Sequence, residues 1–347
     1  ATYTPAEGFY GKFSFEFKTT DTGNSGGQNV LTSSASAVNV YVPLALGADG
    51  TAAFTDNDAS TVNVTLSGGG SGRVYVDGDR GGDMYKLVVV PGSAKSSLTI
   101  DATGGDEAAT VTHIEVTSGS LKKLTAANTQ LTGDLTVSAG DIGRVTFNSV
   151  NGGDEQTISF TPGSSPQRVR LSLGQVSDLS IDTGASPIDR LTVTSWEDTS
   201  SSQADTITTS AYIKSIISQG DFDAQLTVTN AGGATTALKT MTVQGDLTGD
   251  VDVTGKVGKV TVTGDMSGDL TVTDSSGKGA SLKRLSVSGD LSGTTEAHGA
   301  LGSIVVTGNF DGDLTIADIG SAARAAKSLV IIGNFTGTAD ITGRLGK

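Results

Sequence analysis

Over the last third of the chain, apolar and polar positions keep a fixed order. The segment apolar-x-x-apolar-x-apolar recurs as LKTMTV from Leu238, VGKVTV from Val257, LKRLSV from Leu282, LGSIVV from Leu301 and AKSLVI from Ala326. Alternate residues of an extended segment point to opposite sides, so Met241/Val243, Val260/Val262, Leu285/Val287, Ile304/Val306 and Leu329/Ile331 are expected to face inward. Gly-(Asp/Asn)-apolar follows each segment, at Gly245, Gly264, Gly289, Gly308 and Gly333, and also opens at Gly220. Then comes a second alternating run, Val251/Val253, Leu270/Val272, Leu314/Ile316 and Ala339/Ile341, with Leu247, Met266, Leu291, Phe310 and Phe335 filling the corner between the runs. The starts are spaced alternately by 19 and 25 residues. A period near 20 residues is the mark of a solenoid, in which each repeat is one coil stacked on the last.

The frame extends upstream, less regularly, through Ile213, Ile188, Pro166, Ile142 and Leu121. Ten coil steps at the ~4.8 Å spacing of stacked strands predict a rod roughly 50 Å long. The extra residues of the long coils fall at one corner, in NAGGATTA from Asn230, TDSSGKGA from Thr273 and ADIGSAARA from Ala317. They predict a row of loops along one edge, where a rigid scaffold can carry binding groups or simply tolerate insertions. Helical periodicity is confined to Ile319 to Lys327, where a short helical turn is expected.

Residues 1–70 do not fit the frame. GKFSFEF, AVNVYVPL and TVNVTLS read as strands separated by turn residues. Phe9, Tyr10, Phe13, Phe15 and Phe17 crowd together, which predicts a small core of its own. The expected architecture is therefore all-β: a strand-rich cap or small domain over 1–70, then a parallel β-solenoid over 71–347, regular from about 121. The closing ITGRLGK matches VTGKVGK at Val253 to Lys259, so the last coil is expected to be open, to be continued or to dock on another solenoid.

Composition narrows the function. With 36% hydrophobic residues, 5% aromatic and 48 Gly, the 347 residues suit a thin stack of short strands rather than a bulky core. A net charge of −14 argues against general nucleic-acid binding. The absence of Cys excludes disulfides and thiolate metal sites. No apolar run approaches the ~20 residues of a membrane helix. The opening ATYTPAEGFYGKF has neither Met nor a leader pattern, as after removal of a signal peptide, so an extracellular or cell-surface location is expected.

Two kinds of charged column stand out. Lys122/Lys123, Arg144, Arg168, Arg190, Lys214, Lys239, Lys259, Lys283/Arg284, Lys327 and Lys347 follow the coil starts, making one basic stripe on an acidic protein. Stacked cations repel by roughly 1 kcal/mol per pair in water. Either carboxylates on adjacent turns offset this or an anionic polymer does; for the polymer the candidate residues are Lys259, Lys283, Arg284, Arg190, Arg168 and Arg144. Asp221, Asp246, Asp265 and Asp290, continued by Asn309 and Asn334, form one acidic column, and Asp134, Asp178, Asp250, Asp269 and Asp313 a second. Gly-Asp and Gly-Asn are turn formers whose side chains bond nearby backbone. The alternative is Ca²⁺, a hard ion that takes clustered oxygens, with Asp246, Asp265 and Asp290 as candidates. Outward Thr pairs such as Thr261/Thr263 are interrupted by Gln244, Ser286 and Ile332, which argues against an ice-binding ladder. His113 and His298 lack paired-ligand spacing, and no catalytic or nucleotide motif occurs.

The run VTGDMSGDLTVTD and its relatives resemble the short-coil repeats of bactofilins, bacterial β-helix proteins that form polymers, and equally the stalks of exported β-helical adhesins. The resemblance spans about Leu121 to Lys347 and implies right-handed coiling. The 19/25 alternation, the corner loops and the strand-rich start depart from bactofilins. The expected function is a non-catalytic, exported structural or surface rod, serving as stalk, fibre or lattice subunit, with self-association through its open end. The alternative is a polysaccharide-binding or polysaccharide-cleaving β-helix that uses the basic stripe and the Asp columns.

Overall fold

The computed structural model describes residues 4–18, 20–21, 31–32, 34–200, 203–230, 232–274, 276, 279–317 and 324–346. Among them there are strands and turns and no helix. The body is a parallel β-solenoid of about 11 turns. Three apolar ladders run its length, two on strand faces and one at the corner between them. The first stacks Leu98, Leu124, Val145, Leu171, Leu191, Ile216, Met241, Val260, Leu285, Ile304 and Leu329. A second, at the corner, stacks Val111, Leu131, Val150, Val176, Trp196, Phe222, Leu247, Met266, Leu291, Phe310 and Phe335. The third runs from Leu87 and Ile114 through Leu135, Ile158, Ile181, Ile207, Leu226, Val251, Leu270, Thr295 and Leu314 to Ala339.

Nearly all of these side chains are buried in one continuous core. Burying each aliphatic side chain contributes about 1.5–3 kcal/mol. A single turn has nothing to bury against except its neighbours, so that contribution exists only in the stack. The inward pairs and corner residues expected from alternation are buried as far as Leu314/Ile316 and Phe310, whereas in the last described turn Leu329, Ile331 and Ile341 are half-buried and Ala339 and Phe335 exposed.

Two expectations are corrected. The frame places a coil start at Pro166, but Val169 is the residue that pairs with Ile188. Proline has no N–H to give the ladder, whereas Val169 N donates to Pro187 O at 2.8 Å. Of the helical turn expected over Ile319 to Lys327, residues 319–323 lie outside the described residues, Arg324 and Ala325 are not helical, and Ala326 and Lys327 begin the strand Ala326–Ile331.

At the amino-terminal side, pairing is antiparallel. Thr61–Ser67 pairs with Ser97–Thr103, and Gly70–Val76 with Met84–Pro91, so these strands cover the backbone edges of the first parallel strands. Gly11–Phe17 pairs with Ser36–Val42 as a separate two-stranded ribbon. The small aromatic core expected there does not form: Phe15 and Phe17 are exposed, and the rings pack on one another, Phe9 on Phe13 and Phe13 on Phe15. Two strands make one layer, and among the described residues no second layer buries Phe15 and Phe17. At the other end, Val330, Ile332, Phe335 and Leu345 of the last described turn are exposed, although Phe310, one turn earlier, is fully buried.

Candidate functional site

The first face carries its cations where strand alternation turns side chains outward. Arg144, Arg170 and Arg190 pair in register on successive turns, with Val145, Leu171 and Leu191 beside them pointing in. Thr146, Ser172 and Thr192 form a parallel hydroxyl ladder on the same strands. These side chains line an open groove of about 440 Å³, together with Asp189, Lys214 and Ser215. An adjoining depression shares Arg144, Arg170, Asp189 and Lys214 and adds Lys122, Lys123 and Arg168. Seven cations thus meet one carboxylate along the lining.

That carboxylate is Asp189, whose side chain is only 7% exposed. Lys214 Nζ donates to its Oδ1 at 3.0 Å and Arg170 Nε to its Oδ2 at 2.6 Å. The Lys214 ammonium, and after it the Arg170 guanidinium, hold the Asp189 carboxyl below the ordinary carboxylate range against the opposing effect of burial. Lys122, Lys123, Arg144, Arg168 and Arg190 form no ion pair among the described residues. Pairing with carboxylates on adjacent turns therefore accounts for two members of the groove and leaves five without a protein counter-ion.

Of the six polymer-binding candidates, the groove gathers Arg144, Arg168 and Arg190. Lys259 and Arg284 pair with each other in register farther along the same face, between Thr240 and Ser303, and with Lys283 they lie outside the groove. Arg170 was missed because a coil start at Pro166 puts Arg168 in the ladder position that Arg170 occupies. Asp189 was missed because a lone Asp between Ile188 and Arg190 has no repeat to flag it. The loop corner also forms a cleft, where Asn230, Gly233, Ala234 and Thr235 of one loop face Asp274 and Ser276 of the next long coil. Parts of all three loops lie outside the described residues.

The first acidic column forms a ladder of hydrogen bonds between turns. Asp246 N donates to Asp221 Oδ1 at 2.8 Å, Asp265 N to Asp246 Oδ1 at 2.7 Å, Asp290 N to Asp265 Oδ1 at 2.8 Å and Asn309 N to Asp290 Oδ1 at 2.6 Å. Asn334 N continues it to Asn309 Oδ1 at 3.0 Å. Each of Asp246, Asp265 and Asp290 thus accepts an N–H from the next turn, and they do not converge into a group of three ligands. The second column is mixed: Asp250 and Asp269 accept N–H groups of the following turn, from Asp269 and Thr294, whereas Asp178 is buried elsewhere. His113 Nδ1 stands 3.8 Å from Asp134 Oδ2 and His298 Nε2 2.8 Å from Glu296 Oε1. Neither histidine belongs to a group of three metal-ligating side chains among the described residues.

Compared with family models, with curated proteins and with solved structures, the chain matches none. Among the described residues no helix is long and apolar enough to cross a membrane.

Proposed function

We propose that this protein is a non-catalytic, extracellular β-solenoid rod that binds an anionic polysaccharide along the basic groove of its first face. The observation that carries the reading is the charge imbalance of that groove: Lys122, Lys123, Arg144, Arg168, Arg170, Arg190 and Lys214 against Asp189 alone, on a chain of net charge −14. An acidic protein that concentrates cations on one rigid face keeps a local attraction for polyanions while repelling them elsewhere. The arginine ladder repeats at the ~4.8 Å spacing of stacked strands, so a linear polymer of closely spaced carboxylates or sulfates can meet a guanidinium on each turn. The neighbouring Thr146, Ser172 and Thr192 hydroxyls supply neutral hydrogen-bond partners for sugar hydroxyls.

The test is a panel of immobilised glycans, with polygalacturonate and dextran sulfate against neutral dextran. Retention on the two polyanions, lost in high salt and lost in the Arg144→Gln/Arg168→Gln/Arg190→Gln variant, supports the reading. Equal retention on neutral dextran overturns it. Release of reducing or unsaturated ends would replace the non-catalytic part with a polysaccharide-cleaving activity.

A second reading, as a stalk or lattice subunit that stacks end to end, rests on the exposed apolar residues of the last described turn, Ile332, Phe335 and Leu345. The occupant in this reading is another solenoid turn, and the test below distinguishes a second copy from any other source. The resemblance of the short coils to bactofilins and adhesin stalks points the same way. Electron microscopy across a concentration series tests it: rods that lengthen with concentration, and that Phe335→Asp keeps short, are expected, and rods of constant length contradict it.

A further inference from the structure

Away from the basic groove, three carboxylates from successive parts of the coil converge where no cation meets them. Asp178, Asp198 and Asp205 each place an oxygen within 4.8 Å of the others. Asp178 and Asp205 are buried. Asp205 is fully buried, and its place two residues before the inward Ile207 turns it toward the core. Its Oδ2 accepts the Trp196 Nε1 hydrogen at 2.7 Å. Its Oδ1 makes no hydrogen bond among the described residues, and neither does Asp198 Oδ1 nor, beside the cluster, Glu155 Oε2, although the Leu179 backbone N–H also favours the ionised Asp205 carboxyl. The charged groups acting on Asp205 are the carboxylates of Asp198 and Glu155, and no ion pair reaches any of the four among the described residues.

Such an arrangement is costly unless something neutralises it, because a buried carboxylate without a partner loses its hydration and gains nothing. One proton would neutralise one carboxyl and leave the other carboxylates of the cluster without a countercharge. A cation shared among Asp178, Asp198 and Asp205 neutralises the three carboxylates together. The donors are oxygens only, with no His or Cys, which selects a hard ion. Oxygens no more than 4.8 Å apart can share one ion at the Ca–O distance of about 2.3–2.6 Å. The carboxylates come from strand ends and a connecting segment instead of a compact octahedral cage, and that suits the flexible coordination of Ca²⁺ better than the strict geometry of Mg²⁺.

We propose that Asp178, Asp198 and Asp205 form a Ca²⁺ site, with Glu155 beside it, that ties together Asp198 and Asp205, the described ends of the segment between the strands Ser195–Glu197 and Thr206–Thr209. Asp178 already holds the start of that segment, because Thr199 N and Ser200 N each donate to its Oδ1 at 2.8 Å. Asp205 N donates to Asp198 Oδ2 at 3.3 Å, tying the end of the segment to its beginning. Trp196, the single Trp of the chain, donates its indole N–H to Asp205 and so stands beside the site. This inference is independent of the polysaccharide reading and differs from the column of Asp246, Asp265 and Asp290, whose Oδ1 atoms accept from the next turns.

The single Trp makes the site readable. Tb³⁺, a luminescent substitute for Ca²⁺, is titrated into the full chain with excitation at the red edge of indole absorption. The expected result is saturable sensitised emission that excess Ca²⁺ reverses, with apparent affinity at least tenfold lower in Asp198→Asn and unchanged in Asp246→Asn. Absence of sensitised emission, or emission that Asp198→Asn leaves unaltered, overturns the proposal. Thermal unfolding of the unmutated chain guards against a variant that fails to fold: Ca²⁺ should raise the midpoint relative to EDTA and equimolar Mg²⁺ should raise it less. An unchanged midpoint also overturns the proposal.

Discussion

Gly264 and Asp246 display at single-residue scale what the repeat selects. The backbone of Gly264 does not adopt a left-handed φ; a Cβ on it would overlap Asp246 Oδ1 and the Gly245 carbonyl group. The glycine is needed because the carboxylate of the turn below passes under it to reach Asp265 N. Gly264→Ala should therefore cost about 1–3 kcal/mol in chemical denaturation, the range of overpacked sites. Asp246→Asn should be nearly neutral, since Asn309 performs the same task, and Asp246→Ala should cost about 1 kcal/mol. The Gly-Asp pattern was legible from the sequence as a turn. That its hydrogen bond serves the next turn was not, because a side chain bonding nearby backbone and one bonding across 19 or 25 residues leave the same two letters. Thr295 gives the opposite case. It stands in the inward lane between Leu270 and Leu314 with a buried, unpartnered Oγ1. Thr295→Val should stabilise the protein by about 1 kcal/mol, read as a raised denaturation midpoint.

At the scale of strands and turns, alternation specified which residues face in wherever both flanks repeat, as in Leu238–Val243 and Val257–Val262. It failed where an element departed from the repeat. Pro166 satisfied the apolar pattern but lacks the donor a ladder requires, and that shift moved Arg168 out of the arginine row and Arg170 into it. The aromatic ribbon failed for a different reason, because periodicity reports two faces and cannot supply the layer that would cover one. Asp189 sits at the join of strand and groove and carries its own prediction. Its folded-state carboxyl titrates below the ordinary value, so the stability it contributes is present above about pH 3.9 and is lost as pH falls through the lower folded value. Asp189→Asn should cost roughly 1 kcal/mol at neutral pH, a modest figure because Arg170 and Lys214 are half exposed, and should flatten the acid limb of the stability profile. Urea denaturation at pH 7 and pH 3 measures both effects.

For the whole molecule, the stack and its strand-rich start were readable because each turn must bury its apolar residues on the next, which forces the same letters to recur. The groove was half readable. A basic stripe is visible in the sequence, but its concentration between Lys122 and Lys214 depends on which neighbouring turns lack carboxylates, and only the register decides that. The acidic cluster was not readable, because Asp178, Asp198 and Asp205 follow no common spacing. The claim that the groove binds a polyanion makes charge changes of opposite sign act oppositely within one surface. Arg144→Gln/Arg190→Gln removes two cations, while Asp189→Asn removes the one anion and leaves every cation. The deciding measurement is calorimetric titration with polygalacturonate over a salt series for the unmutated chain and these two variants. The account predicts binding that weakens steadily with salt, at least tenfold weaker with a shallower salt slope in the double arginine variant, and tighter in Asp189→Asn; equal affinity in all three, or affinity indifferent to salt, would contradict it.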